Sequence, residues 1–222
     1  SLRKFLVRNK TVLLRVDYNV PIENNKIKDN TKISTSIPTI KFLLKQNCKV
    51  IIATHLGRPE GKVVKGLKLN VIKTELKKLF PKENIVKFND CIGKEIKQKI
   101  KNAKTTKIFL LENLRFYEEE QNNHPAFAHS LAELADIYVN EAFSVSHRKE
   151  ASIEAITNFL PSIAGLQFEK EMFYLNKAIK PKKPAIWLMG GAKLDKVDLI
   201  KQSLSKANKV LIGGALAFSF LK

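Results

Sequence analysis

TVLLRVDYNVP (11–21) is the stretch on which the fold turns. Its first six residues, Thr11 to Val16, are almost continuously apolar, and an extended segment tolerates that only when both of its faces are covered. A strand of this kind belongs to a parallel sheet between two layers of helices. The pattern recurs at 50–54 (VIIAT), 107–111 (KIFLL), 136–140 (DIYVN), 185–189 (AIWLM) and 209–212 (KVLI). Between these runs, helical periodicity appears near 34–46, 69–79, 94–101, 125–134, 167–178 and 196–207. In the first of these helices Ser34 or Ser36 can serve as N-cap, with Pro38 tolerated in the first turn. Strand–helix alternation with right-handed crossovers predicts an α/β fold: a doubly wound, parallel, six-stranded sheet with helices on both faces.

Composition fits a packed domain. The chain has 222 residues, of which 44% are hydrophobic, enough for a sizeable core. No apolar run approaches the roughly 20 residues that span a bilayer. The opening SLRKFLVRNK (1–10) lacks the apolar centre of a secretory signal. Cys48 and Cys91 are far apart and have no metal-ligand spacing, so they read as buried free thiols in a reducing, cytoplasmic setting. The formal charge of +19 is carried mostly by lysine; residues 62–107 hold 14 lysines, four acids and no arginine. Lysine spread that evenly reads as solvated helix surface, and few aromatics stand by to stack bases. A basic nucleic-acid binder is the weakest of the functional readings.

In open parallel sheets ligands sit beyond the carboxyl ends of the strands, so those positions matter most. After the first strand, Asp17 and Asn19 share one face of an extended segment and can accept from and donate to hydroxyls. A turn approaching Pro21 is an equally simple reading of the same residues. After the second comes His55-Leu-Gly57-Arg58-Pro59, where Gly57 lets the backbone turn and Pro59 stiffens the exit. A guanidinium on such a loop suits phosphate or carboxylate. After the third comes Arg115, beside the acidic run Glu118–Glu120, where a local ion pair is the plainer reading. After the fourth, NEAFSVSHR (140–148) repeats the His-Arg pairing as His147-Arg148. Only six arginines occur in the chain, and three of them, Arg58, Arg115 and Arg148, fall in these loops. Surface solvation explains any one loop more easily than the set. After the fifth strand, GGAKLDK (190–196) is no P-loop, yet glycines ahead of a helix expose N–H groups to an anion and Lys193 and Lys196 add charge.

Taken in order, RVDYNVP (15–21), THLGRPEG (54–61), LLENLRFYEEE (110–120), VNEAF…SHR (139–148), GGAKLDK (190–196) and LIGGALAFSFL (211–221) resemble the N-terminal half of phosphoglycerate kinases. Each motif is modestly specific; the ordered set is highly so. The resemblance implies a glycolytic kinase of two doubly wound domains joined by a hinge. Residues 1–213 would be the phosphoglycerate-binding domain, 214–222 would begin the interdomain helix, and the nucleotide-binding domain would lie outside this chain. Phosphoryl transfer would run between 1,3-bisphosphoglycerate and ADP, giving 3-phosphoglycerate and ATP, by positioning and charge stabilisation. By motif position, Asp17 and Asn19 would orient the glycerate, while His55, Arg58, Arg115 and Arg148 would cradle its phosphate and carboxylate. Lys32, Lys193 and Lys196 would face the transferring phosphoryl group. Mg-ATP or Mg-ADP would sit mainly on the other domain, no metal site is expected here, and the protein would be a monomer with no nucleic-acid or membrane partner.

The chain also departs from that pattern. Lys32 stands where the family has an arginine, which keeps the charge but loses the planar fork. Lys193 and Lys196 are three apart rather than four. Ser144 and Val145 replace a glycine and a threonine, and Lys149-Glu150 replaces small residues and a histidine. A catalytically degenerate or truncated anion-binding homologue is therefore the alternative reading, and this chain alone is expected to be inactive.

Overall fold

Strand β1 (Thr11–Arg15) lies in register with two neighbours at once. Leu14 is level with Ile52 of β4 (Lys49–Ala53) on one side and with Val139 of β7 (Ile137–Asn140) on the other. All three strands run parallel, as continuous apolar character requires. In the computed structural model, which describes residues 2–105, 107–191 and 197–218, this trio is the centre of a six-stranded parallel sheet. Outward from β4 come β6 (Ile108–Leu110) and β5 (Ile85–Lys87); outward from β7 comes β8 (Ser162–Ala164).

Alternation along β1 divides the core in two. Val12 and Leu14 pack with Val50, Ile52, Leu110 and Val139 beneath α2 (Ile37–Lys45) and α3 (Asn70–Leu79), through Ile40, Leu43, Ile72 and Leu76. Leu13 points the other way, to Ile51, Phe109 and Tyr138, under α4 (Lys94–Asn102) and α6 (Pro125–Ala132), through Ile96, Ile100, Phe127 and Leu131. Both faces are therefore covered, and each buried aliphatic side chain contributes about 1.5–3 kcal/mol. Cys48 and Cys91 are free and buried. Among the described residues no helix is long and apolar enough to cross a membrane.

The sheet has six strands, but not the six read from the sequence. The runs near 185–189 and 209–212 do form strands, β9 (Ile186–Gly190) and β10 (Lys209–Gly213), yet these pair only with each other in a separate parallel ribbon. Their places in the large sheet are taken by β5 and β8, each three residues long and too short to show a run of its own. The chain divides into two compact units, 1–169 and 170–222. That division falls within α7 (Leu166–Ile179). The second unit holds the β9–β10 ribbon, α8 (Val197–Leu204) and α9 (Ala215–Phe218). Smaller elements of the first unit are the hairpin β2 (Ile22–Glu23) and β3 (Lys26–Ile27), and the single turns α1 (Thr31–Ser34) and α5 (Glu118–Gln121). The first predicted helix is thus split. Ser36 holds the N-cap position of α2, but its hydroxyl donates back to the Ile33 carbonyl at 2.8 Å and meets the Tyr18 hydroxyl at 2.7 Å instead of capping.

Candidate functional site

The chain leaves β1 toward β4 and β6 on one side, then returns to place β7 on the other, so the strand order reverses about β1. A reversal of that kind opens a crevice at the carboxyl ends of the central strands, where a doubly wound sheet takes its ligand. The loops after β1, β4, β6 and β7 surround this crevice, and hydrogen bonds tie them to one another.

Arg15 closes β1, and no site role follows from its sequence position. It is fully buried, and an uncompensated buried guanidinium would be prohibitive, so every arm has a partner. Nε donates to Ser152 Oγ at 2.7 Å and Nη1 to the Val16 carbonyl at 2.6 Å. Nη2 donates to Glu150 Oε2 at 3.3 Å and lies 3.2 Å from His55 Nδ1. A guanidinium only donates, so Nδ1 accepts and the proton of neutral His55 sits on Nε2. Burial, then the charges of Arg15 and Arg115, push His55 down to about 2, so it remains neutral at physiological pH. His55 therefore brings an N–H donor to the site and no charge, which differs from a cationic member of a phosphate cradle.

Asp17 is the opposite case. Burial alone would raise its carboxyl, but hydrogen bonds from Lys32, Ser144 and the Asn19 amide prevail and hold it at about 2. Lys32 Nζ lies 2.8 Å from Oδ2 and Ser144 Oγ 2.5 Å from the same oxygen. Oδ1 accepts from the Asn19 amide at 3.0 Å and stands 3.9 Å from His55 Nε2. That gap is too long for a direct hydrogen bond and suits one oxygen atom between the two. Asn19 turns its side-chain oxygen to the Gly57 amide at 2.9 Å, which leaves its NH2 group uncommitted among the described residues. Gly57 has φ +66°, and a Cβ there would meet Leu67 at 2.8 Å, so the loop's turn requires glycine.

Arg115, on the turn after β6, is buried and already engaged. Nη1 donates to the Gly57 carbonyl at 3.0 Å and Nη2 to Glu150 Oε1 at 2.8 Å. Its ion pair is with Glu150 and not with the neighbouring Glu118–Glu120 run that sequence proximity suggests. Within that run Glu120 turns inward to Ser152 and Arg15, and burial raises its carboxyl. Arg115 Nε is buried and has no hydrogen-bond partner among the described residues. Arg58 and Arg148, by contrast, are exposed, and neither side chain bonds to any described residue. Arg58 follows Gly57 directly, and Arg148 lies four residues beyond Ser144.

The structure thus brings together Asp17, Asn19, Lys32, His55 and Arg115 by direct or one-residue links, and carries Arg58 and Arg148 on the same loops. Lys193 and Lys196 lie outside the described residues. Reading by motif missed Arg15, Glu150 and Ser152 as supports; the signal was an arginine inside an otherwise apolar strand, which demands buried partners. No group of three His, Cys, Asp or Glu among the described residues could hold a metal ion.

A family model described as phosphoglycerate kinase matches residues 2–222. The phosphoglycerate kinase of Moorella thermoacetica is 44% identical over 224 residues, covering 100% of this chain and 57% of that protein. That of Dictyoglomus turgidum is also 44% identical, with 100% and 56% covered. Among solved structures, phosphoglycerate kinase from Coxiella burnetii superimposes with a TM-score of 0.86 at 32% identity, covering 99% of this chain and 56% of that one. The enzyme from Pyrococcus horikoshii OT3 gives 0.83 at 32% identity, with the same coverage. The chain spans just over half the length of these relatives.

Proposed function

The chain belongs to the phosphoglycerate kinase family, and on that footing we propose that its first unit binds 3-phosphoglycerate or 1,3-bisphosphoglycerate as the acceptor side of a glycolytic, cytoplasmic phosphotransferase. The whole reaction passes a phosphoryl group between 1,3-bisphosphoglycerate and ADP, giving 3-phosphoglycerate and ATP. The family resemblance assigns the magnesium–nucleotide mainly to the part of the relatives' length that this chain does not span.

The observation that carries the reading is the pairing of two free guanidiniums with an ionised carboxylate. Arg58 and Arg148 are uncommitted guanidiniums, so they take the phosphate and carboxylate of the ligand. Asp17 is ionised and accepts, neutral His55 donates through Nε2, and an oxygen between them is held from both sides. A glycerate hydroxyl both donates and accepts, which matches that pair. Asn19 contributes its free NH2 group, and Arg115 its unpartnered Nε–H. Lys32 keeps a positive charge beside Asp17, and Lys193 and Lys196 act toward the transferring group. These residues bind and orient, which is what a transfer with a loose transition state needs from a protein.

Calorimetric titration with 3-phosphoglycerate tests the reading. Saturable binding is expected, and Arg58→Ala or Arg148→Ala should abolish it while leaving the melting temperature unchanged. Tight DNA binding with a steep salt dependence, and no response to phosphoglycerate, would sink it. Supplying a separately expressed nucleotide-binding half should restore transfer only if the site is catalytically competent.

A further inference from the structure

Beneath the loops that carry the free arginines lies a second layer of charge. Arg15 and Arg115 are both buried, and a single carboxylate, Glu150, sits between them. Each oxygen serves a different arginine: Oε1 takes Arg115 Nη2 at 2.8 Å and Oε2 takes Arg15 Nη2 at 3.3 Å. The other carboxylate in reach, Glu120, stands 3.9 Å from Arg15, and Ser152 is its main partner. Both arginines go on to touch the site, Arg15 at His55 and Arg115 at the Gly57 carbonyl. Arg115 Nε remains a buried donor with no partner among the described residues.

We propose that Glu150 sets how strongly this site holds an anion, acting as an internal counter-anion that competes with the ligand for Arg115. The inference rests on the reading that these loops bind an anion such as phosphoglycerate. Two buried guanidiniums with no counter-charge would attract any phosphate strongly, and would destabilise the empty site just as strongly. Glu150 satisfies both and leaves Arg115 one open N–H. The ligand then meets a floor whose charge is largely balanced, and its affinity comes mainly from the exposed Arg58 and Arg148. Glu150 also holds the two arginines apart, so that Arg15 reaches His55 and Arg115 reaches Gly57.

The test compares the parent, Glu150→Gln, Arg115→Ala and the double variant, each titrated by calorimetry with 3-phosphoglycerate and separately with inorganic phosphate. Glu150→Gln should bind on the order of tenfold more tightly at low salt, the size of one unit charge at roughly 10 Å in a medium of intermediate dielectric. That gain should vanish in the Arg115→Ala background. Equal or weaker binding by a folded Glu150→Gln protein would overturn the proposal. Should Glu150→Gln be unfolded in buffer, inorganic phosphate should raise its melting temperature by more than it raises the parent's; no such rescue would also overturn it. If neither protein binds 3-phosphoglycerate, the phosphoglycerate reading fails, and inorganic phosphate still decides. Tighter phosphate binding by Glu150→Gln keeps the counter-anion, and no phosphate response in either protein ends it.

Discussion

Replacing Glu141 by glutamine should change how stability depends on pH, and the structure fixes the sign. Glu141 follows directly after β7 with only 6% of its surface exposed. One oxygen accepts from the Thr39 hydroxyl at 2.5 Å and from the Gln167 amide, in the first turn of α7, at 3.2 Å; the other oxygen is buried without a hydrogen-bond partner among the described residues. Burial pushes the carboxyl from 4.5 up to about 7, against the pull of those hydrogen bonds and with a contribution from nearby Glu169. The folded protein therefore binds this proton more tightly than the unfolded chain does. Stability from this group is fully present below pH 4.5 and is lost as pH rises through about 7, a change of about 3 kcal/mol. In the parent the loss is masked, because His55, held near 2, works with the opposite sign from pH 2 to 6.5. Glutamine keeps the accepting oxygen and carries no charge, so subtracting the two proteins isolates Glu141. Urea unfolding of both at pH 5, 6, 7 and 8, at fixed ionic strength, should show the variant gaining on the parent by about 3 kcal/mol across the series. The new NH2 group lacks an acceptor and costs about 1–3 kcal/mol at every pH, so the variant should start below the parent at pH 5 and draw level or pass it by pH 8. A difference between the two that stays flat over that range would refute the reasoning.

The same corner gives a second prediction. A Cβ at Gly165 would lie 1.8 Å from the unpartnered Glu141 oxygen and 3.3 Å from the Asn140 carbonyl, so Gly165→Ala should destabilise by about 1–3 kcal/mol. An unchanged urea midpoint would show that the close approach does not exist. At the site, Asp17 is held at about 2 against an ordinary 3.8, so its contribution to stability is present above 3.8 and lost as pH falls toward 2. Asp17→Asn should flatten the acid limb of the stability curve in that window, and a limb as steep as the parent's would contradict the hydrogen-bond geometry.

What the sequence disclosed follows from how each signal is made. Strands buried on both faces announce themselves by continuous apolar residues, so β1, β4, β6 and β7, and with them the loops at their carboxyl ends, were legible. The edge strands β5 and β8 were not, because three residues carry no periodicity and one of them ends in Lys87. The ribbon β9–β10 looks like sheet core in sequence, and nothing in its letters says which sheet it joins. Nor can composition give the ionisation of His55. That depends on Arg15 standing 3.2 Å from its Nδ1, a contact between residues 40 positions apart.

The basic residues of the crevice are not interchangeable, and burial is what separates them. A buried cation must bring its own counter-charge, so Arg15 and Arg115 are spoken for by Glu150, two backbone carbonyls and Ser152 before any ligand arrives. His55, buried beside them, avoids the problem by giving up its proton. An exposed cation pays little to stay uncommitted, and so, on the function proposed above, Arg58 and Arg148 would be the groups that exchange water for an anion. Lys32 lies between these classes, half-exposed and paired with Asp17. On that proposal the exposed pair would supply attraction that salt screens, whereas the buried pair would supply geometry that salt does not touch. Anion affinity should therefore fall as ionic strength rises while the neutral donor at His55 and the carboxylate at Asp17 keep their places, so that selectivity for a hydroxylated phosphate over a bare one survives at salt concentrations that weaken the binding of both.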